Sequence, residues 1–520
     1  MNKALKSFIF ILFEVLFLWT NILLITSENG FLLSNAVYLA IGIAGMALLF
    51  LLNARFGAPI ERFLQGRSRL LLAGSLLLLL AWQLYAGFGG YFGTGWDPYT
   101  IRNTVFLELR GQYDRIASWY FSRYPNNILL VWGYTLIGRF EQLFGLISIE
   151  YPLVVFQCVL EVLALWVLYR VVYDLSGSRR MAWLAYGIAW IFVGVSPWFF
   201  IQYSDATGFI LPILMIRIFQ KANRAAECCR TLPVILWYIL LGVLAIVGLL
   251  IKPQIVIAGI AVVLADVLCL FGKQFRKLFP RFILKFLCFV TGILVFTGIY
   301  NWLIIPSLHL QIDPEMAFGW QHYVKMGLNT QTAGSHSTDD VIVSYSIQEK
   351  TERDRADLEE AGRRLKEMGF SGLLKHLNRK QLKTYGDGTF SWAGEGNFFR
   401  EERDWARNSI SRFVRSMIRP EGENYQLFRS SKQAVWIPIL FFLLLVILYQ
   451  RKQTSIDIEK EMTAIVMAVI GLTLFELIFE ARARYLFCYT PLFVILAALG
   501  MHNLHRLITA WHNRNRAATT

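Results

Sequence analysis

Apolar runs of about 20 residues recur along the chain, most of them separated by short polar turns. A helical run of that length can cross a hydrocarbon core ~30 Å thick. The pattern predicts twelve spans, at 8–27, 31–53, 69–88, 150–173, 181–200, 206–221, 232–250, 254–272, 282–306, 433–450, 461–479 and 485–504. The run at 206–221 is short and carries Arg217. The Leu, Ile and Phe residues come in continuous runs rather than alternating, which favours helices over a β-barrel. The expected fold class is an all-α polytopic membrane protein.

Two longer polar stretches interrupt the pattern. The first follows the third run and sets Asp97, Arg102, Glu108, Asp114, Arg115 and Arg123 among Trp96, Tyr99, Tyr113, Trp119 and Tyr124. It leads into 126–146, which is apolar but contains Arg139 and Glu141. The second, 307–432, precedes the last three spans and is expected to be an α+β insertion. Residues 354–369 read as a solvated helix ending near Gly369. Ser371 is placed to cap a second helix over 371–385, with Leu373, Leu374, Leu377 and Leu382 on one face. Residues 386–396 are turn-rich and fit a short hairpin. The chain thus divides into two N-terminal spans (1–68), a transmembrane core (69–306) with its first outer loop at 89–149, the insertion (307–432), and closing spans with a tail (433–520).

Composition agrees with a membrane protein. The chain is 56% hydrophobic and 17% charged, against about 25% charged in soluble domains. The net charge of +15 sits largely in short loops, so the bilayer accounts for it better than nucleic acid does. Lys3 and Lys6 precede the first span; Arg55, Arg62, Arg67 and Arg69 follow the second. Arg179 and Arg180, then Lys221, Arg224 and Arg230, then Lys273, Arg276, Lys277 and Arg281 mark later loops. Arg451, Lys452 and Lys460 come next, and Arg506, Arg514 and Arg516 close the series. All fall on one side only if 126–146 lies on the outer interface instead of spanning. Both termini are then cytosolic and 307–432 is extracytoplasmic. The N-terminal run lacks a small-x-small cleavage site and is read as an uncleaved span. The six cysteines show no CxxC and no Cys/His ligand spacing, so neither a zinc site nor a disulfide framework is expected.

Charges at the outer ends of spans are the candidates for chemistry, because burial there is costly. Four places qualify: Trp96-Asp97-Pro98, Asp205 in the turn 196–208, Lys252 between two spans, and Glu480, Arg482 and Arg484 before the last span. Each alone reads equally as a membrane-edge charge that anchors its helix. Together they offer what transfer from a phosphate leaving group needs: a carboxylate to accept a hydroxyl proton and cations to hold the departing phosphate. Pro98 biases Asp97 toward an extended backbone. His309, His322 and His336 read as solvated loop histidines without metal-ligand spacing. No Gly-rich nucleotide cradle or Ser-His-Asp signature is present.

In order and spacing, these features resemble the GT-C superfamily of integral-membrane glycosyltransferases. The likeness is to family-39-type members, which include protein O-mannosyltransferases and the aminoarabinose transferase of lipid A. The matching features are Asp97 in the first outer loop and Tyr124-Pro125-Asn126-Asn127 leading through to Leu143-Phe144-Gly145. The basic turn at 168–180, Ser196-Pro197, the span 241–253 ending in Lys252-Pro253, and the closing helix 484–500 follow. The second proline of the Tyr-Pro-Pro-Leu pattern is absent, and Pro253 replaces a glycine. The resemblance covers about 80–500, with 307–432 largely unmatched.

The resemblance implies a GT-C-like core of about 12 helices and an inverting glycosyltransferase using a polyprenyl-phosphate-linked monosaccharide. Its site would face the outer side of a bacterial cytoplasmic membrane, with a cell-wall glycopolymer, glycolipid or surface protein as acceptor. Asp97 would be the general base. Lys252 and Arg484, with Arg482 as a weaker candidate, would contact the lipid phosphate. Tyr124, Asp205 and Arg102 would contact substrate, and 307–432 would cover the site. Some members use a divalent metal and others none; no cofactor is assigned here. Two other readings stay open: a transporter or flippase of lipid-linked sugars, though no paired broken helices are legible, and a non-catalytic subunit of a wall-synthesis complex.

Overall fold

A computed structural model describes residues 3–145, 149–271, 275–392, 398–399, 408–450 and 456–519. Among the described residues, nine helices are long and apolar enough to cross a membrane: Ala4–Thr26, Asn35–Leu52, Ser68–Gly90, Glu150–Ser176, Thr231–Ile251, Pro253–Leu270, Leu278–Ser307, Ile458–Ile478 and Ala483–Trp511. The chain is an all-α polytopic membrane protein. Asn35–Leu52 and Leu278–Ser307 bury least, and leave residues such as Leu48, Leu51, Leu294 and Trp302 on the outside. Such faces need lipid rather than water. Ala483–Trp511 is enclosed over 483–503 and emerges at its end, where Leu507, Ile508 and Trp511 are exposed.

Close helix contact is written in small residues. A Cβ on Gly242 would lie 1.9 Å from the Phe289 carbonyl oxygen, and one on Gly292 would lie 2.0 Å from that of Ile239. The two glycines let the helices Thr231–Ile251 and Phe275–Ile299 approach backbone to backbone, as small residues do where lipid offers no hydrophobic drive.

Three expected spans are not among the nine. The run at 181–200 breaks into a helix Arg179–Ala189, a π turn Trp190–Gly194 and a 3-10 turn Pro197–Phe200. Pro197 cannot continue the helix. The 206–221 run belongs to Ile210–Glu227, whose Arg217, Lys221 and Arg224 disqualify it by charge. That helix is nonetheless buried, and Arg217 ion-pairs with Asp174. The 433–450 run starts earlier, as Tyr425–Leu443, and carries Arg429 and Lys432 before its apolar half.

The segment after Tyr124 forms a 3-10 turn Pro125–Asn127 and a helix Ile128–Gln142. Fifteen residues at 1.5 Å each reach only ~22 Å, short of a hydrocarbon core. One face, including Leu130, Val131 and Tyr134, is buried, while Leu136, Phe140 and Leu143 are exposed.

The described part of 307–432 is mainly helical. Lys350–Tyr385 runs as two helices across a kink at Gly369, whose φ of 57° breaks the spiral where the sequence led one to expect. The inward face of the second half differs from expectation. It is largely polar: His376, Lys380, Gln381 and Thr384 are buried and Leu374 is exposed, although Leu382, of the four expected leucines, packs against the core. Those side chains serve the bundle. His376 Nε2 and Lys380 Nζ lie 2.8 and 2.9 Å from the Gly327 carbonyl oxygen, Lys380 also donates to that of Phe479 at 2.7 Å, and Gln381 donates to Thr20. Of the 386–396 hairpin, 388–392 are turns and 393–396 lie outside the described residues. The strand seen is Phe398–Phe399, paired antiparallel with Gly93–Thr94 of the first loop.

The helices Ser68–Gly90, Thr231–Ile251 and Ile456–Ile478 end toward 307–432: Gly89 lies against Ser411, Gly327 against the Ile478 carbonyl, and Lys252 shares a cavity with Phe318. The opposite ends gather ion pairs such as Lys6–Glu459 at 2.9 Å and Arg180–Glu61 at 2.6 Å.

Candidate active site

A cavity of about 580 Å³ lies at the first of these ends. Asp97, Tyr124, Lys252, Arg482 and Arg484 all line it. They come from four separated parts of the chain, so the fold, not the sequence, brings them together.

Asp97 is not extended. Trp96 is the N-cap (φ −100°, ψ −147°), Asp97 is the first residue of helix Asp97–Leu109 and Pro98 the second. Proline is accepted in a first turn because the amide hydrogens there have no partner within the helix. The same unpaired amides favour a carboxylate at this end. The Tyr203 hydroxyl donates to Asp97 Oδ2 at 2.7 Å, and the Trp96 and Tyr203 rings meet edge to face with centroids 4.9 Å apart.

Lys252 caps Thr231–Ile251, its N–H bonded to the Gly248 carbonyl, with Pro253 preventing further helix. The residue is 4% exposed and its ammonium ion-pairs with Asp205. Burial pulls the Lys252 ammonium below the ordinary lysine value, against the pull of Asp205. Asp205 sits on the one-turn helix Ser204–Thr207 and is fully buried beneath the cavity. Its other oxygen is 3.7 Å from Arg484 Nη1. One carboxylate therefore bridges two cations, leaving the group one positive charge in excess. The Arg484 guanidinium lies over the rings of Trp96 (4.4 Å), Tyr203 and Tyr485 (both 5.3 Å). Lys252 Nζ lies 4.4 Å from the Tyr485 centroid. Aromatic faces hold cations without neutralising them.

Arg482 Nε donates to Glu480 at 2.9 Å. Burial works against a charged Glu480, but Arg482, Arg484 and His336 outweigh it and keep its carboxyl below the usual range. Tyr124 packs edge to face on Phe318 with centroids 5.5 Å apart. Burial, then the nearby Asp97 and Glu480, push its hydroxyl well above the ordinary tyrosine value.

Arg102 is not among the lining residues. Its guanidinium donates to the Tyr91 hydroxyl at 2.8 Å, which in turn donates to Gln202 at 3.2 Å. Asp114 is exposed on the turn Tyr113–Arg115. His322 is fully buried rather than solvated, 2.8 Å from the Ser344 hydroxyl. His336 lines the cavity.

Sequence reasoning assigned no role to Arg123, Tyr203, Phe318, Tyr323 or Tyr485, yet all line the cavity. Tyr203 was within reach of it, two residues before Asp205. Arg123 is buried, and its Nη1 has no hydrogen-bond partner. No group of three or more His, Cys, Asp or Glu side chains is placed to hold a metal among the described residues.

Among curated proteins, none matches the chain. Among solved structures, the chain is similar to the archaeal oligosaccharyltransferase AglB from Archaeoglobus fulgidus, solved in complex with an inhibitory peptide and a dolichol-phosphate. The identity is 11% and the TM-score 0.43, covering 87% of this chain and 52% of that one. The chain thus spans about half the length of AglB, and a likeness of this size says nothing of activity. Residues 1–505 match the family described as conserved hypothetical integral membrane protein, and the chain belongs to that family.

Proposed function

We propose that the chain is an inverting glycosyltransferase of the GT-C type, moving a monosaccharide from a polyprenyl phosphate to a hydroxyl of a cell-envelope acceptor. One observation carries the reading: a single cavity joins a carboxylate, Asp97, to a cation pair, Lys252 and Arg484, held by one buried counter-ion. The excess positive charge matches one phosphate. In the proposed step the acceptor hydroxyl gives its proton to Asp97 as its oxygen bonds to the sugar C1. The C1–O bond to phosphate breaks, and the phosphate leaves with the electron pair toward Lys252 and Arg484. Attack opposite the leaving group inverts C1. Arg can grip phosphate through two N–H groups, whereas Lys acts as a point charge. The cavity would open on the outer side of a bacterial cytoplasmic membrane, with both termini cytosolic, in keeping with the one-sided basic loops.

The test is transfer by purified protein from a panel of polyprenyl-phosphate sugars to cell-envelope acceptors, with the product anomer determined by NMR. Transfer with inversion is expected. Retention, or no transfer and no donor cleavage from any of the panel, would refute the reading.

A further inference from the structure

A second cavity, of about 480 Å³, lies beyond the Arg482 segment from the one that holds Asp97. Its walls come from the turn 27–35 between the first two helices, from 382–391 at the end of the long kinked helix, and from Arg429. A shared partition separates the two spaces. Ser335 borders the second cavity and His336 the first; Ala483 borders the second and Arg484 the first; Arg482 borders both. The two stretches of this wall are joined by the Ala481 N–H, which donates to the Gly334 carbonyl at 2.8 Å.

In the second cavity Asp387 accepts from Thr389 and Ser391, and Arg429 donates to the Gly30 carbonyl and Gln426, while Glu28, Lys383 and one Asn29 nitrogen are unspent among the described residues. Leu32 N–H donates to Ser430 Oγ at 3.1 Å, and Gln433 Nε2 to Asn35 Oδ1 at 2.9 Å, which pins the turn. Asn29 Oδ1 accepts from the Phe31 N–H at 3.0 Å, which orients the amide, yet its Nδ2 is buried with no partner. Among the described residues Glu28 and Lys383 form no hydrogen bond or ion pair. Charge in the lining is balanced: Glu28 and Asp387 offset Lys383 and Arg429, while Arg482 is matched by Glu480. A balanced, largely non-aromatic cavity does not suit an anion or a lipid tail. It suits a neutral polyol, whose hydroxyls donate to Glu28 and accept from Lys383 and Asn29.

We propose that this cavity is an acceptor subsite for a neutral oligosaccharide, whose terminal hydroxyl passes Arg482 to reach Asp97. The proposal rests on the glycosyl-transfer reading. It is tested by saturation-transfer NMR on the full chain, in a detergent without a sugar headgroup, with cellobiose, N,N′-diacetylchitobiose and maltotriose as probes. At least one should bind, and the double variant Glu28→Gln/Lys383→Met should bind it at least about tenfold more weakly, since bonds to charged groups are lost. Binding of none of the three, or equal binding by the double variant, would overturn the proposal. A second arm measures release of sugar from a polyprenyl-phosphate donor into water. Both substituted side chains are exposed, so the variant should fold and release sugar at the native rate; a parallel loss would place these residues on the donor side and overturn the subsite. If the native chain cleaves no donor while the double variant still loses sugar binding, the transfer reading fails and the sugar site stands.

Discussion

Asp205→Asn isolates the charge bridge beneath the cavity. In the native chain Asp205 is fully buried, paired with Lys252, and 3.7 Å from Arg484. At an effective dielectric of 20, a unit pair at that distance is worth roughly 4–5 kcal/mol. The Asn side chain can still accept one hydrogen bond, so part of the contact to Lys252 survives. What is lost is the counter-ion of two enclosed cations, and breaking such a pair costs about 3–5 kcal/mol. The variant should therefore unfold at a clearly lower temperature in detergent. A bound phosphate supplies the missing charge. Polyprenyl phosphate should accordingly raise the unfolding temperature of the variant more than that of the native chain; at a hundredfold excess over its dissociation constant the gain is ~2.7 kcal/mol. Fluorescence-detected thermal unfolding with and without polyprenyl phosphate reads both effects. Equal stability of variant and native chain would refute the counter-ion role. Greater stabilisation of the native chain would refute phosphate binding at this pair.

Gly242→Leu would drive its Cβ into the Phe289 carbonyl, 1.9 Å away, so it should abolish accumulation of folded protein; a stable, monodisperse variant on size-exclusion chromatography would contradict the packing. In the insertion, burial alone would raise Asp357 and Asp340, but Lys325 and Ser344 bond the first with His322 beside it, and Arg364 and Asn329 bond the second, so both carboxyls sit below the usual range. Their stabilisation is fully present above the unfolded value near 4 and is lost as pH falls through the lower folded values; the unfolding temperature of the native chain should therefore fall more steeply below about pH 4 than that of Asp340→Asn/Asp357→Asn, and parallel falls would contradict this. Lys375→Cys, on an exposed position, should react with an impermeant maleimide in intact cells, while the exposed native Cys228 should react only after permeabilisation; the reverse pattern would invert the topology.

The helical pattern was legible because bilayer length and apolar runs are local properties. What escaped depends on neighbours. The 181–200 run is apolar throughout, so its break at Gly194 and Pro197 does not show in hydropathy. Ile210–Glu227 hides Arg217 inside the protein because Asp174, from another helix, answers it. The leucines at 373, 374 and 377 suggested an inward apolar face, but the carbonyls of Gly327 and Phe479 wait on that side and call for His376 and Lys380 instead. At the cavity, membrane-edge charges pointed to Asp97, Lys252, Arg482 and Arg484. Only the fold shows that Asp205 underlies the cations and that Arg102 braces Tyr91 away from the lining. Pro98 misled about Asp97, because a helix start tolerates proline as readily as an extended strand does.

The central claim is most directly tested by the single-turnover transfer rate of Asp97→Asn against Asp114→Asn, both with donor bound. Asn keeps the shape of Asp97 and its contact with Tyr203 but cannot take the hydroxyl proton. General-base help is typically worth ~10²–10⁴ in rate. Asp97→Asn should bind donor with native affinity and transfer at least ~10²-fold more slowly, while Asp114→Asn, on an exposed turn away from the cavity lining, keeps most of its activity. Native-rate transfer by Asp97→Asn, or loss of activity in Asp114→Asn instead, would contradict the account.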